Sequence, residues 1–224
     1  MIKDNLILAI ESTGSNCGVA IGSLDTTYLN ISLNVKHSHD KKLATIIKTS
    51  LDYLDISIAD ISAVAISSGP GSFTGLRVGS ALAKGLTFDD SPKLITVPTL
   101  SSVAYYAKDY LEAVSKSSIT VLIPSNRDYY FIQNFDENAQ KTSEPEILSK
   151  EEIIKLYDNN SLYCGPGSID FEDSICELFE LDILTPKNIL KFARNEFSNG
   201  RFIKSEEFSP RYYQEFKPTQ KKSK

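Results

Sequence analysis

The run Ser67-Ser68-Gly69-Pro70-Gly71-Ser72-Phe73-Thr74-Gly75-Leu76-Arg77-Val78-Gly79 joins an apolar strand to a helix almost devoid of charge. Between Ser72 and Phe88 the ionisable residues are Arg77 and Lys84, seven apart and therefore on one face. Val78, Leu82, Leu86 and the small residues Gly75, Gly79, Ala81, Ala83 and Gly85 fill much of the rest. A helix with so little polar surface is covered on more than one side. Glycine inside a helix costs about 1 kcal/mol against alanine, so Gly75 and Gly79, four apart, predict a close backbone approach on that surface.

The pattern around this helix sets the fold class. Leu6–Ile10 reads as a buried strand, Gly14-Ser15-Asn16 as a turn, and Cys17–Gly22 as a second strand. Leu29, Ile31, Leu33 and Val35 alternate with polar residues, which is the period of a strand with one wet face. Leu43, Ile46, Ile47, Leu51 and Leu54 then fall three or four apart, as on an amphipathic helix. Ala63–Ile66 and Leu94–Val97 read as strands, and Thr99 as the N-cap of a helix carrying Leu100, Val103, Ala104, Ala107 and Leu111. The order βββαβαβα predicts an α/β fold with a mixed sheet packed by helices. A second set follows. It has strands at 119–123 and 129–135, a capping box at Ser149–Glu152, a strand at 162–164 entering Gly165-Pro166-Gly167, and a helix from Thr185-Pro186 to Gly200. Two lobes are expected: residues 1–110, and a reduced second lobe at 111–216 that includes the final helix and a return segment. Residues 217–224 read as a flexible basic tail.

The chain has 224 residues, 41% hydrophobic and 24% charged, enough to bury a sizeable core or two small ones. A net charge of -5 argues against independent tight binding to nucleic acid, which needs clustered lysine and arginine. The evident basic cluster is Lys217, Lys221, Lys222 and Lys224, read as a solvated terminus. Cys17, Cys164 and Cys176 are odd in number and widely spaced, which argues against a disulfide framework and for a reducing interior. The opening apolar run is too short for a signal core, and no stretch approaches the roughly 18 apolar residues of a span, so a cytoplasmic chain is expected.

Two segments carry a family resemblance: Leu8-Ala9-Ile10-Glu11-Ser12-Thr13, and Ser68 through Gly79. Weaker echoes are His39, Val97-Pro98-Thr99-Leu100, Gly165-Pro166-Gly167 and Pro210-Arg211-Tyr212-Tyr213. With these the chain resembles the TsaB (YeaZ) family, the small subunit of bacterial tRNA threonylcarbamoyladenosine synthesis. The resemblance is strong over residues 1–110 and patchy beyond. It implies an actin-like/Hsp70-like (ASKHA) fold of two lobes, each a mixed β-sheet packed by helices. It also implies a non-catalytic role, binding and stabilising the catalytic subunit TsaD, which transfers the threonylcarbamoyl group to adenosine 37 of tRNAs reading codons that begin with A. A TsaE-like ATPase is the expected third partner, and a homodimer forms when TsaD is absent. tRNA is then contacted only through the complex. The helices at 39–54 and 72–88 would supply the interface through Leu43, Ile46, Ile47, Leu51, Gly75, Leu76, Val78, Gly79, Leu82, Ala83 and Leu86. The chain departs from the family where many relatives carry Asp-Ala-Arg: it has Pro124-Ser125-Asn126, followed by Arg127 and Asp128.

Each motif has a bland reading beside a functional one. Gly69, Gly71 and Ser72 feed a helix start, the physical recipe for an anion site, yet no Walker lysine follows, and a tight turn with close packing explains the same glycines. By resemblance, Glu11, Ser12, Thr13 and Gly14 form a turn facing nucleotide phosphates, where Glu11 would hold a metal-bound water. The alternative is a turn that caps its own backbone. Gly165 and Gly167 are the matching turn of the second lobe. The expectation is no tightly bound cofactor, with weak ATP or ADP and magnesium at the partner interface. No metal site is expected: the positions matching the two TsaD histidines are Thr99 and Val103, and His37 and His39, two apart, cannot share a helical face. The older glycoprotease label of the family finds no H-E-x-x-H and no G-x-S-x-G here. The alternative function is a small-molecule kinase or ATPase of the same fold, using Glu11, Thr13 and the 165–167 turn.

Overall fold

A computed structural model describes residues 5–34, 39–171 and 181–211. Val35, His37, Cys176, Tyr212, Tyr213 and the basic tail lie outside the described residues. The first sheet has the order β3-β2-β1-β4-β5, from β1 (Leu6–Glu11), β2 (Cys17–Gly22), β3 (Thr27–Leu33), β4 (Ile61–Ser67) and β5 (Lys93–Val97). β1, β2 and β3 pair antiparallel, whereas β4 lies parallel to both β1 and β5. β1 and β2 are buried throughout, and the edge strand β3 alternates between half-buried and exposed residues over much of its length.

Strand parity separates two cores. Leu6, Leu8, Ile10, Val64 and Ile66 face α1 (His39–Tyr53) and α2 (Phe73–Leu86), and meet Leu43, Ile46, Ile47 and Ala83. Ile7, Ala9, Ala63, Ala65, Ile95 and Val97 face the other way, against Ile189, Leu190 and Ala193 of the last helix, α5 (Pro186–Ser198). The alanines of this face leave room for a helix to lie close to the sheet. Burying Ile189 and Leu190 completely contributes about 1.5–3 kcal/mol each. The sequence reading assigned this helix to the second lobe; its packing places it on the first sheet. Its stripe is apolar on one side only, and which sheet receives that stripe is a tertiary choice.

The second sheet has the order β8-β7-β6-β9, from β6 (Ser118–Pro124), β7 (Tyr129–Asp136), β8 (Glu146–Ser149) and β9 (Ser161–Cys164). Helix α3 (Thr99–Ala107) covers one face through Leu100, Val103 and Ala107, against Ile119, Val121, Phe135 and Leu162. On the other face Ile153 of the short α4 (Lys150–Lys155) joins Leu122, Ile132, Tyr163 and Phe171. The capping box is present as expected, Ser149 Oγ accepting from the Glu152 N–H and the Glu152 carboxylate from the Ser149 N–H. Thr99 is not an N-cap but the first helical residue after Pro98, and its buried Oγ1 has no partner among the described residues. β8 had no sequence signal, because four edge residues carry too little period to register.

After α5, Gly200 turns the chain at φ 66°, and Ile203 bridges Leu94 on the exposed edge of β5. Phe208 enters the core beneath α1 and α2. The Arg211 N–H donates to Ser68 O at 2.9 Å, so the described chain ends against the glycine loop. Cys17 and Cys164 are buried.

Candidate functional site

β1 and β4 run parallel with Ile10 opposite Ile66, so Glu11 and Ser67 end side by side at one rim of the sheet. The β1–β2 turn and the glycine loop leave from that rim and bind each other. The Ser72 N–H donates to Thr13 O at 2.8 Å, Ser12 Oγ donates to Gly75 O at 2.9 Å, and the Thr99 N–H donates to Gly69 O at 3.0 Å. Ser72 caps α2, its hydroxyl accepting from the Gly75 N–H at 3.3 Å. A Cβ on Gly71 would lie 2.5 Å from Thr13 Cβ, and one on Gly69, at φ +103°, 2.7 Å from Arg211 O.

The two glycines of α2 have the same explanation. A Cβ on Gly75 would stand 1.8 Å from Ser12 O, and one on Gly79 would stand 2.3 Å from Ser12 Oγ and 2.9 Å from Ile66 Cδ1. The close backbone approach read from the sequence exists, and Ser12 of the same chain makes it. A second molecule is not needed to account for Gly75 and Gly79. Most of the predicted interface is likewise internal: Leu43, Ile46, Ile47, Leu76 and Ala83 are buried, and Leu51, Val78, Leu82 and Leu86 are half-buried against the same core.

The outward stripe of α2 is a different set. Thr74, Arg77, Ala81 and Gly85 recur at helical spacing and are exposed, and Phe88 just beyond the helix is 78% exposed. Phe73 begins the helix with its ring 4.1 Å from the Arg77 guanidinium carbon, and Tyr53 at the end of α1 is 82% exposed. The Lys48–Asp52 ion pair of 2.6 Å lies on exposed α1 surface. Of the small residues that fill the helix, Ala81 and Gly85 are the ones that face outward.

Between the two sheets opens a cleft of about 1150 Å³. Thr13, Gly14, Gly71 and Ser72 line it from one side and Pro166, Ile169 and Asn126 from the other, with Ile183, Leu184 and Arg211 at its margins. Of the nominated anion-site residues, Glu11, Ser12, Gly69, Gly165 and Gly167 stand behind the wall. The Gly165 N–H donates to Leu181 O and the Gly167 N–H to Leu122 O, and a Cβ on either glycine would meet Leu122 or Tyr130 at 2.5–2.8 Å. The 165–167 turn therefore spends these donors on its own lobe.

Glu11 is completely buried and does not line the cleft. Its Oε1 accepts from both the Thr13 N–H and Thr13 Oγ1 at 2.5 Å. Burial pushes its carboxyl above the usual range, against the lowering effect of these bonds and of Ser67 and Gly14. Held this way, Glu11 caps its own turn through Oε1, while its buried Oε2 has no partner among the described residues. Asp182 supplies the carboxylate that does line the cleft, and its buried Oδ1 has no partner among the described residues. It went unnoticed in the sequence because nothing in Leu181-Asp182-Ile183-Leu184 marks an acid as inward-facing. Among the described residues no three His, Cys, Asp or Glu side chains gather as a metal site. Thr99 and Val103 are both buried in the α3 core.

Comparison with known proteins agrees with this architecture. The family model described as TsaD, tRNA N6-adenosine threonylcarbamoyltransferase, matches residues 32–162, more than half of the chain. A tRNA threonylcarbamoyladenosine biosynthesis protein TsaB of Buchnera aphidicola subsp. Schizaphis graminum is 33% identical, with 89% of this chain and 98% of that protein covered. The Haemophilus influenzae protein of the same name is 24% identical over 92% of each chain. Among solved structures, YeaZ from Pseudomonas aeruginosa superposes with a TM-score of 0.75 at 18% identity, covering 93% of this chain and 99% of that one. A second Pseudomonas aeruginosa structure, described as similar to peptidase YEAZ, gives 0.77 at 17% identity, covering 94% and 100%. These two likenesses establish the fold, and the sequence identity to the Buchnera protein establishes more: the chain belongs to the TsaB (YeaZ) family.

Proposed function

We propose that the chain acts in tRNA threonylcarbamoyladenosine biosynthesis as a non-catalytic subunit that binds a TsaD-type catalytic subunit and holds it in its competent shape. The modification is then threonylcarbamoylation of adenosine 37 in tRNAs reading codons that begin with A. The names of the relatives support the pathway. The observation that carries the partner role is the outward stripe of α2, where exposed Ala81 and Gly85 lie between Arg77 and Phe88 with at most a methyl group to cover the backbone. Small residues flanked by exposed aromatics let a second helix pack at short distance. In the absence of TsaD, the same stripe serves a second copy of the chain. A TsaE-like ATPase joins the pair, and the working compartment is the cytoplasm.

The non-catalytic reading draws on the sealed state of Glu11 and on the buried side chains of Thr99 and Val103. A second reading, a small-molecule kinase or ATPase, draws on the cleft, whose volume accommodates a nucleotide. The donor set fits that ligand only in part, since Glu11 is buried behind the wall and Asp182 is the carboxylate that lines the cleft among the described residues; it would hold a magnesium ion. Apart from that second reading, we propose no tightly bound cofactor, with weak ATP or ADP and magnesium at the partner interface.

Capture of a TsaD-type protein tests the proposal. Wild-type chain retains it, and Ala81→Arg, which places a long cation on an exposed position and leaves the core untouched, abolishes retention while the variant stays folded. Equal capture by Ala81→Arg would remove the α2 stripe from the account.

A further inference from the structure

We propose that the face shared by α3 and α5 binds the phosphate backbone of an RNA through Lys108, Lys187 and Lys191. The inference rests on the reading of the chain as part of a tRNA-modifying assembly and adds to it a direct contact with the substrate. It starts from two neighbouring tyrosines. Lys108 Nζ lies 3.9 Å from the Tyr105 ring centre, and Lys187 Nζ lies 5.5 Å from that of Tyr106. Lys191 Nζ is shared between them, 6.0 Å from Tyr105 and 5.1 Å from Tyr106, and so ties ammonium groups from two helices into one cluster. Phe192 meets Tyr105 edge-on at 5.6 Å and fixes the ring.

The charge at this spot is poorly compensated. Asp109 pairs with Lys191, whereas Lys108 and Lys187 make no ion pair among the described residues. Ring faces attract each ammonium, and like charges within a Debye length of about 8 Å repel. In a chain of net charge -5, three ammonium groups and one paired carboxylate meet at two adjacent rings. A polyanion relieves the repulsion. RNA suits the face better than an acidic protein, because half-exposed Tyr105 adds aromatic surface beside the cations.

The test measures binding of an unmodified tRNA transcript to the full-length chain by fluorescence anisotropy across a salt series, with and without a TsaD-type partner. Each phosphate contact contributes about 0.7–0.9 to the salt slope, so Lys108→Gln/Lys187→Gln/Lys191→Gln is expected to lower the slope by about 2–3. Affinity near 0.1 M salt falls at least about tenfold. Asp109→Asn, which removes the compensating carboxylate, tightens binding about two- to threefold, a gain that a purely structural role for the lysines does not give. Lys→Arg at the three positions retains binding, and the exposed Lys187→Gln alone lowers the slope by about 0.8 should the triple variant fail to fold. Unchanged slope and affinity in the variants would overturn the proposal. So would absence of salt-dependent binding by the wild type, or displacement of the RNA by poly-glutamate as readily as by unlabelled tRNA. Capture of the TsaD-type partner is scored on the same variants. Capture retained with RNA binding unaffected by the lysines defeats this inference alone; patch-dependent RNA binding without capture defeats the partner role alone.

Discussion

Gly75→Ala and Gly85→Ala are the same chemical change ten residues apart in one helix, and the structure assigns them opposite signs. At Gly75 the new methyl would stand 1.8 Å from Ser12 O, a backbone atom that cannot swing aside. Reaching a tolerable 3.0 Å moves α2 or the β1–β2 turn by more than about 1 Å. That displacement strains Ser12 Oγ–Gly75 O and Ser72 N–Thr13 O, the two bonds that join turn to helix. Overpacking of this kind costs about 3 kcal/mol at the upper end, offset by about 1 kcal/mol of helix propensity, for a net loss of about 2 kcal/mol. At Gly85 nothing lies within 4 Å of the new methyl, so the propensity gain of about 0.5–1 kcal/mol stands alone. For a chain of this size the melting temperature is expected to fall by about 4–8 °C for Gly75→Ala and to rise by about 1–4 °C for Gly85→Ala. Urea midpoints measured beside thermal melts check both. A Gly75→Ala protein as stable as wild type would refute the reasoning, because it would mean that Ser12 is not what the glycine accommodates.

Glu11→Gln reports on the buried carboxyl. Its pKa is raised above 4.5 in the folded chain, so the folded state binds more protons than the unfolded one between 4.5 and the raised value. Its contribution to stability is complete below about 4.5 and is lost as pH rises through the folded pKa. Denaturation across pH 4–8 should show wild type losing stability relative to Glu11→Gln as pH increases, and parallel profiles would contradict the burial argument. Thr185→Ala removes the α5 N-cap, which accepts from the Asn188 N–H, and should cost about 1 kcal/mol by urea denaturation. An unchanged midpoint would mean that Pro186 alone sets that helix start.

The order of strands and helices was legible because each buried element has a clean period: two in β3, three or four in α1, and an unbroken apolar run in β1 and β4. Side-chain period reports which face of an element is buried, and nothing about what buries it. That limit accounts for the two largest differences. The notch at Gly75 and Gly79 is filled by Ser12, 63 residues before Gly75, and no local pattern distinguishes that neighbour from another molecule. The apolar stripe of α5 was correctly placed on the helix and assigned to the wrong sheet. At the cleft, glycine spacing found the turns that meet there, yet Gly165 and Gly167 need to be glycine for packing against Leu122 and Tyr130. Glu11 carried two readings, a metal-facing acid and a cap of its own turn, and Thr13 folding back onto Oε1 is a contact that residue order alone does not register. Asp182 is placed by the cleft it lines, and the Tyr105–Tyr106 lysine cluster by the packing of α5 beside α3; neither arrangement has a local pattern.

The central claim, that this chain supplies shape and its partner supplies chemistry, meets its most direct test in a reconstituted transfer reaction with tRNA and threonylcarbamoyl adenylate. The account predicts no product from the chain alone, robust product when a TsaD-type subunit is added, and loss of that stimulation with Ala81→Arg. Product formed by the isolated chain, or full stimulation by Ala81→Arg, would contradict it.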